Sequence, residues 1–115
     1  MNKKLRSPEG LRSEYQRLCA GLAHTGYISQ GSVLDRSTLR RPRSGYQWTR
    51  KVARKTITVS LSRQQFEALR HAIENRRRLQ KTIAQMERLS RQIPFHTLPD
   101  THRRKTLPKK ALGLI

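Results

Sequence analysis

Residues 62 to 93 constrain the fold more than any other stretch of the chain. Ser62 and Gln65 stand at capping-box spacing, directly ahead of a run in which Phe66, Leu69, Ile73, Leu79, Ile83, Met86 and Leu89 recur at helical intervals. No glycine or proline interrupts that run before Pro94. The spacing predicts a helix over about residues 63 to 92, roughly 45 Å long at about 1.5 Å per residue, ended by Pro94. A helix of that length exceeds what a first, shorter helix can cover, so one of its ends is expected to project.

The segments ahead of it read as smaller pieces. Ser7 followed by Pro8 offers an N-cap and a proline at the first helical position, and Leu11, Tyr15, Leu18 and Leu22 then fall on one helical face, with Gly26 as the stop. Residues 27 to 39 carry only a weak extended signal around Val33-Leu34, and Arg40-Arg41-Pro42-Arg43-Ser44-Gly45 is a loop by composition. Tyr46, Trp48 and Arg50 alternate with Gln47, Thr49 and Lys51. After a turn at Val52-Ala53, Ile57, Val59 and Leu61 alternate with Thr56, Thr58 and Ser60. That turn lacks Asn-Gly chemistry, so its register is open. The expected class is α+β: an N-terminal helix, a small antiparallel hairpin or three-stranded sheet, a long C-terminal helix, and a basic extended tail. The expected organisation is a basic tail over residues 1–6, one small domain over 7–93, and a basic tail over 94–115 that orders only on a partner.

Charge decides the function class. Among 115 residues, 26 Lys and Arg face 7 Asp and Glu, a net charge of +19, and only 34% of residues are apolar. Such an excess repels itself, and a polyanion is its natural counterweight. Nucleic acid outranks an anionic membrane, because one Trp and two Phe are too few for an interfacial helix and arginine's planar fork suits phosphate. No run of apolar residues reaches membrane-spanning or leader length, and the single Cys19 permits no internal disulfide, so a cytoplasmic, reducing compartment is expected. Cys19 itself reads as a small buried hydrophobe beside the first helix's apolar stripe.

No one patch owns the charge: residues 1–61 carry thirteen cations against three acids, residues 62–93 eight against three, and residues 94–115 five against one. At 100° per residue, Arg63, Arg70, Arg77, Lys81 and Arg88 fall within a sector of about 40° on the long helix, roughly opposite its apolar residues. Up to residue 75 the favoured reading is a solvated, salt-bridged face, since Glu67 and Glu74 stand three and four residues from Arg70, His71, Arg77 and Arg78. Between Arg76 and Arg91, six cations meet only Glu87, and binding is favoured. The candidate nucleic-acid-binding residues are therefore Arg40, Arg41 and Arg43 in the loop; Arg77, Arg78, Lys81, Arg88 and Arg91 on the helix; and Arg103, Arg104, Lys105, Lys109 and Lys110 in the tail. A merely soluble loop and a localisation signal are the competing accounts of the first and third groups. Tyr46 and Trp48 offer a stacking platform, but packing against Ile57 and Val59 is the favoured reading.

Catalysis has little to rest on. The seven acids, Glu9, Glu14, Asp35, Glu67, Glu74, Glu87 and Asp100, are scattered, and no nucleophile elbow, Walker loop or zinc-protease motif occurs. His24, His71, His96 and His102 show no metal spacing, so neither an enzyme nor a metal or other cofactor is expected, and no small-molecule substrate.

Residues 26 to 93 also carry a resemblance. Gly26-Tyr27-Ile28-Ser29-Gln30-Gly31-Ser32-Val33, Tyr46-Gln47-Trp48-Thr49-Arg50-Lys51-Val52, Lys55-Thr56-Ile57-Thr58 and Asn75-Arg76-Arg77-Arg78-Leu79 resemble a family of short basic bacterial proteins of uncharacterised function, often encoded near transposases. That family carries a cysteine-rich, knuckle-like segment where this chain has Asp35 to Ser44 without a cysteine, and a turn glycine where this chain has Arg54. The resemblance implies a mobile-element or defence-system nucleoprotein. The leading expectation is an accessory subunit that holds RNA, slightly favoured over DNA, by phosphate contacts beside a larger protein. The alternatives are an adaptor that lays Leu79, Ile83, Met86 and Leu89 against another protein, and a DNA-binding regulator, for which no base-reading element is visible.

Overall fold

The computed structural model describes residues 7–101 and 106–112 and is an α+β arrangement. Helix α1, Pro8–Leu22, begins where the sequence places it: the Ser7 hydroxyl accepts from the Gly10 N–H at 3.2 Å and Pro8 opens the first turn. Its one buried residue is Leu11, and Tyr15, Leu18 and Leu22 on the same face are half-buried. The helix stops at Leu22 with Ala23 as its cap, and Gly26, at φ +77°, instead turns the chain after the helix has ended. Cys19 is exposed rather than buried, because it lies about 70° from the centre of the Leu11, Tyr15, Leu18, Leu22 stripe.

Three strands follow: β1 Ser32–Asp35, β2 Tyr46–Val52 and β3 Lys55–Leu61, in one antiparallel sheet ordered β1-β2-β3. The hairpin turns on Ala53 and Arg54, both at positive φ (49° and 69°), one residue later than the turn expected from the sequence. Two consecutive left-handed residues make the two-residue loop whose twist suits a hairpin, here without the glycine it ordinarily uses. Register places Tyr46, Trp48, Arg50, Ile57, Val59 and Leu61 on one face. Gln47, Thr49, Lys51, Thr56, Thr58 and Ser60 share the other with Ser32 and Leu34.

Helix α2, Arg63–Thr97, starts at the expected capping box: Gln65 N–H donates to the Ser62 hydroxyl at 3.1 Å, and Ser62 N–H donates to Gln65 Oε1 at 2.9 Å. It does not end before Pro94. Proline's fixed φ is compatible with a helix and forfeits one bond, so the turn continues with Leu98 N–H donating to Pro94 O at 3.0 Å and the Thr97 hydroxyl to Ile93 O at 2.8 Å. A last short helix, α3, spans Lys109–Leu112, a turn of structure within the stretch expected to be extended.

The chain divides into two compact units, residues 25 to 79 and the described residues before and after them. In the first, α2 contributes buried Ala72 and Ile73, and Phe66 stacks on Tyr46 with ring centroids 4.6 Å apart. The connection into β1 runs along α2, with Ser29 N–H donating to Ala72 O at 3.2 Å and Asn75 Nδ2 to Tyr27 O at 3.0 Å. In the second, Leu11 and Leu89 are the buried residues.

Candidate nucleic-acid interface

The arginine loop is a closed structure hung from one residue. Asp35 ends β1, and its carboxylate accepts from the Ser37 hydroxyl at 2.7 Å and the Ser37 N–H at 3.0 Å, turning the chain through a 3-10 turn at Arg36–Thr38. Those two bonds, the hydroxyl first, hold the Asp35 carboxyl below the ordinary carboxylate range. The backbone of Arg36 then closes the loop. Its carbonyl accepts from Leu39 N–H at 3.3 Å and Arg43 N–H at 3.1 Å, and its own N–H donates to Gly45 O at 3.0 Å. Arg40, Arg41 and Arg43 are exposed on the loop so formed.

The side chain of Arg36 lies across the sheet. Nε donates to Gln47 Oε1 at 3.2 Å and Nη2 to the Ser60 hydroxyl at 2.9 Å, so the half-buried guanidinium is held by a residue of β2 and one of β3. It packs beside Gly45, where a Cβ would stand 3.3 Å from Nη1. No carboxylate lies within 4.0 Å of it among the described residues. Sequence reasoning missed Arg36, since nothing local marks it: its position follows from the register that sets Gln47 opposite Ser60. The one available signal was Asp35-x-Ser37 ahead of Gly45, an Asx-turn pattern announcing a tight loop.

On α2 the expected salt-bridged face is real at one place, where Arg70 Nη2 meets Glu67 Oε2 at 2.7 Å. Arg78 donates to Asn75 Oδ1 and so takes part in the fixing of the Tyr27 segment. Arg77, in the sheet-bearing unit, and Lys81, Arg88 and Arg91, in the other, are exposed with no carboxylate within 4.0 Å among the described residues. Lys109 opens α3 and Lys110 is exposed on it, while Arg103, Arg104 and Lys105 lie outside the described residues.

The sheet's aromatic residues have contacts within the chain. Tyr46 is stacked on Phe66, and the half-buried Trp48 donates its indole N–H to Gln30 O at 2.9 Å, with the Arg50 guanidinium 6.0 Å from the ring centroid. The aliphatic residues expected to pack against them are less covered than that, Ile57, opposite Arg50, being 42% exposed and Val59, opposite Trp48, 43%. Among the described residues Tyr27 is the most exposed aromatic, at 91%, with Phe95 exposed as well.

Among the described residues no three His, Cys, Asp or Glu side chains come together, and no helix is long and apolar enough to cross a membrane. Compared with protein-family models, curated proteins and solved structures, the chain matches none.

Proposed function

We propose that this protein binds nucleic acid through its phosphate backbone, with RNA favoured over DNA, as a non-catalytic accessory subunit of a larger nucleoprotein. The observation that carries the reading is uncompensated charge. Against a net +19, the exposed Arg40, Arg41, Arg43, Arg77, Lys81, Arg88 and Arg91 meet no carboxylate within 4.0 Å among the described residues. Cations so placed repel one another until phosphates stand among them, and counterions released from the polymer supply the free energy. Membership of a mobile-element or defence complex rests on the resemblance carried by residues 26 to 93 alone.

Salt titration tests the mechanism. Each neutralised phosphate adds about −0.7 to −0.9 to the slope of log affinity against log salt, so a slope nearer zero than about −3 refutes backbone neutralisation. Reversing charge at Arg77, Lys81 and Arg88 is expected to flatten that slope. The adaptor reading retains Ile83, 43% exposed, as its anchor, but Leu89 is 5% exposed and already has its contacts within the chain. Complex formation with a protein partner that survives the charge reversals and fails in Ile83→Asp would favour the adaptor.

A further inference from the structure

We propose that the face of the sheet bearing Gln47, Thr49, Lys51, Thr56, Thr58 and Ser60 is the seat of a single-stranded RNA segment, with Arg36 as its phosphate anchor. This rests on the nucleic-acid reading above and adds where the strand lies and what kind of strand it is.

The two faces of the sheet differ in chemistry. One carries Tyr46, Trp48, Ile57, Val59 and Leu61 with Arg50, and α2 packs against it through Phe66. The other carries hydroxyls and an amide at Ser32, Gln47, Thr49, Thr56, Thr58 and Ser60, together with Lys51 and Arg36; Leu34 of β1 is its one apolar member, and register places no acidic residue on it. Thr56, Thr58, Ser60 and Lys51 are exposed. Neighbouring strands sit about 4.8 Å apart and rise about 3.3 Å per residue, so this face is a shallow plate roughly 10 Å wide and 20 Å long.

Charge complementarity identifies the occupant as anionic. Residues 25 to 79 hold thirteen cations against three acids, and two of those acids are already engaged, Asp35 with Ser37 and Glu67 with Arg70. Arg36 is held in advance by Gln47 and Ser60, and those two bonds use two of its five N–H donors. Its remaining donors form a fork fixed before binding, which lowers the ordering cost of gripping a phosphate.

The posture of Arg36 selects a single strand. Its guanidinium lies down on β2 and β3 instead of standing up from them, so it is reached by a chain that lies flat on the plate. A single strand can follow such a plate, whereas a duplex, a convex rod, meets it only along a line. The hydroxyls select RNA, because each is donor and acceptor at once, as is a 2′-hydroxyl, the group by which a protein tells RNA from DNA.

The test uses the full chain and three labelled probes, a twelve-nucleotide oligouridine, the matching deoxy strand, and an RNA duplex of equal length. Arg36→Gln removes a charge-assisted contact and Thr58→Glu sets a carboxylate against the phosphates, and each is expected to weaken oligouridine binding about tenfold or more. Ile57→Glu adds the same charge one residue away on the opposite face and is expected to change affinity less than about twofold. The native chain is expected to prefer the RNA strand to the DNA strand and to the duplex. If Arg36→Gln disturbs the fold, seen in the fluorescence of Trp48, the Thr58→Glu and Ile57→Glu pair decides alone. Native RNA binding with Thr58→Glu and Ile57→Glu equally affected overturns the placement and leaves nucleic-acid binding standing. Equal affinity for the three probes overturns the choice of strand, and failure of the native chain to bind any of them at low salt overturns the underlying function.

Discussion

Gly31→Ala should damage the sheet more than any other glycine-to-alanine change. Gly31 adopts φ +99°, and a Cβ there would stand 2.5 Å from Trp48 Nε1 and 2.7 Å from Thr49 O. Left-handed backbone costs an L-residue about 1–2 kcal/mol before any contact is considered. The indole must then move and give up its 2.9 Å bond to Gln30 O, a further ~1 kcal/mol. Thr49 O cannot retreat without disturbing the pairing of Thr49 with Ser32 at the start of β1. The loss is expected to reach about 3 kcal/mol, against roughly 3–8 kcal/mol of stability for a unit of this size. Gly26→Ala is the matched comparison. Its φ of +77° carries similar backbone strain, but the Cβ would meet only the flexible amide of Asn75, at 3.0 Å. Urea unfolding followed by Trp48, the chain's single tryptophan, reads both variants. Equal midpoint shifts for the two would refute the argument that the Trp48 and Thr49 contacts, beyond φ alone, fix Gly31.

Arg54→Gly removes strain from the second turn position, at φ 69°, and should raise stability in urea unfolding by about 1 kcal/mol while reducing the salt slope of RNA binding by no more than about 1. Lowered stability would refute the turn geometry. Asp35 has a depressed folded pKa, so its contribution to stability is present above about 3.9 and disappears as pH falls through its lower folded value. Asp35→Asn should therefore flatten the acid limb of the stability profile, and an unchanged limb in that variant would show that the Ser37 bonds do not govern it. Leu89→Ala, at a site 5% exposed, should cost about 2–4 kcal/mol by helix circular dichroism, whereas Ile83→Ala, 43% exposed, should cost less than about 1.

The local devices of this fold were legible because they are short-range. Ser62 with Gln65, Ser7 with Pro8, and the alternation from Thr56 to Leu61 each specify structure within a few residues, and the chain uses all three. What was not legible depends on distant pairing. Cys19 flanks the Leu11 stripe closely enough for sequence reasoning to bury it, yet it stays exposed. The hairpin turn falls on Ala53 and Arg54, two residues with no preference for positive φ, because strand register outweighs local turn propensity. The candidate site divides the same way. Arg40, Arg41 and Arg43 show themselves as a cluster, while Arg36 acquires its role only when two strands bring Gln47 and Ser60 beneath it.

That division bears on how a chain so poor in apolar residues folds at all. Only Leu11, Ala72, Ile73 and Leu89 are buried among the described residues, so apolar burial offsets little of the conformational entropy, and the net +19 opposes compaction. The structure answers with fixed polar geometry: two capped helix starts, the loop closed on Arg36, and the Asn75 and Ser29 bonds that pin the approach to β1. Each such bond is worth only about 1 kcal/mol net, which does not cancel the repulsion among unpaired cations. A bound polyanion would relieve that repulsion and would act on the folded arrangement more than on an open chain, where the same cations stand farther apart. By linkage it would then raise stability by about 2.7 kcal/mol at a hundredfold excess over its dissociation constant. Binding and folding are thus expected to draw on the same arginines, Arg36 first among them.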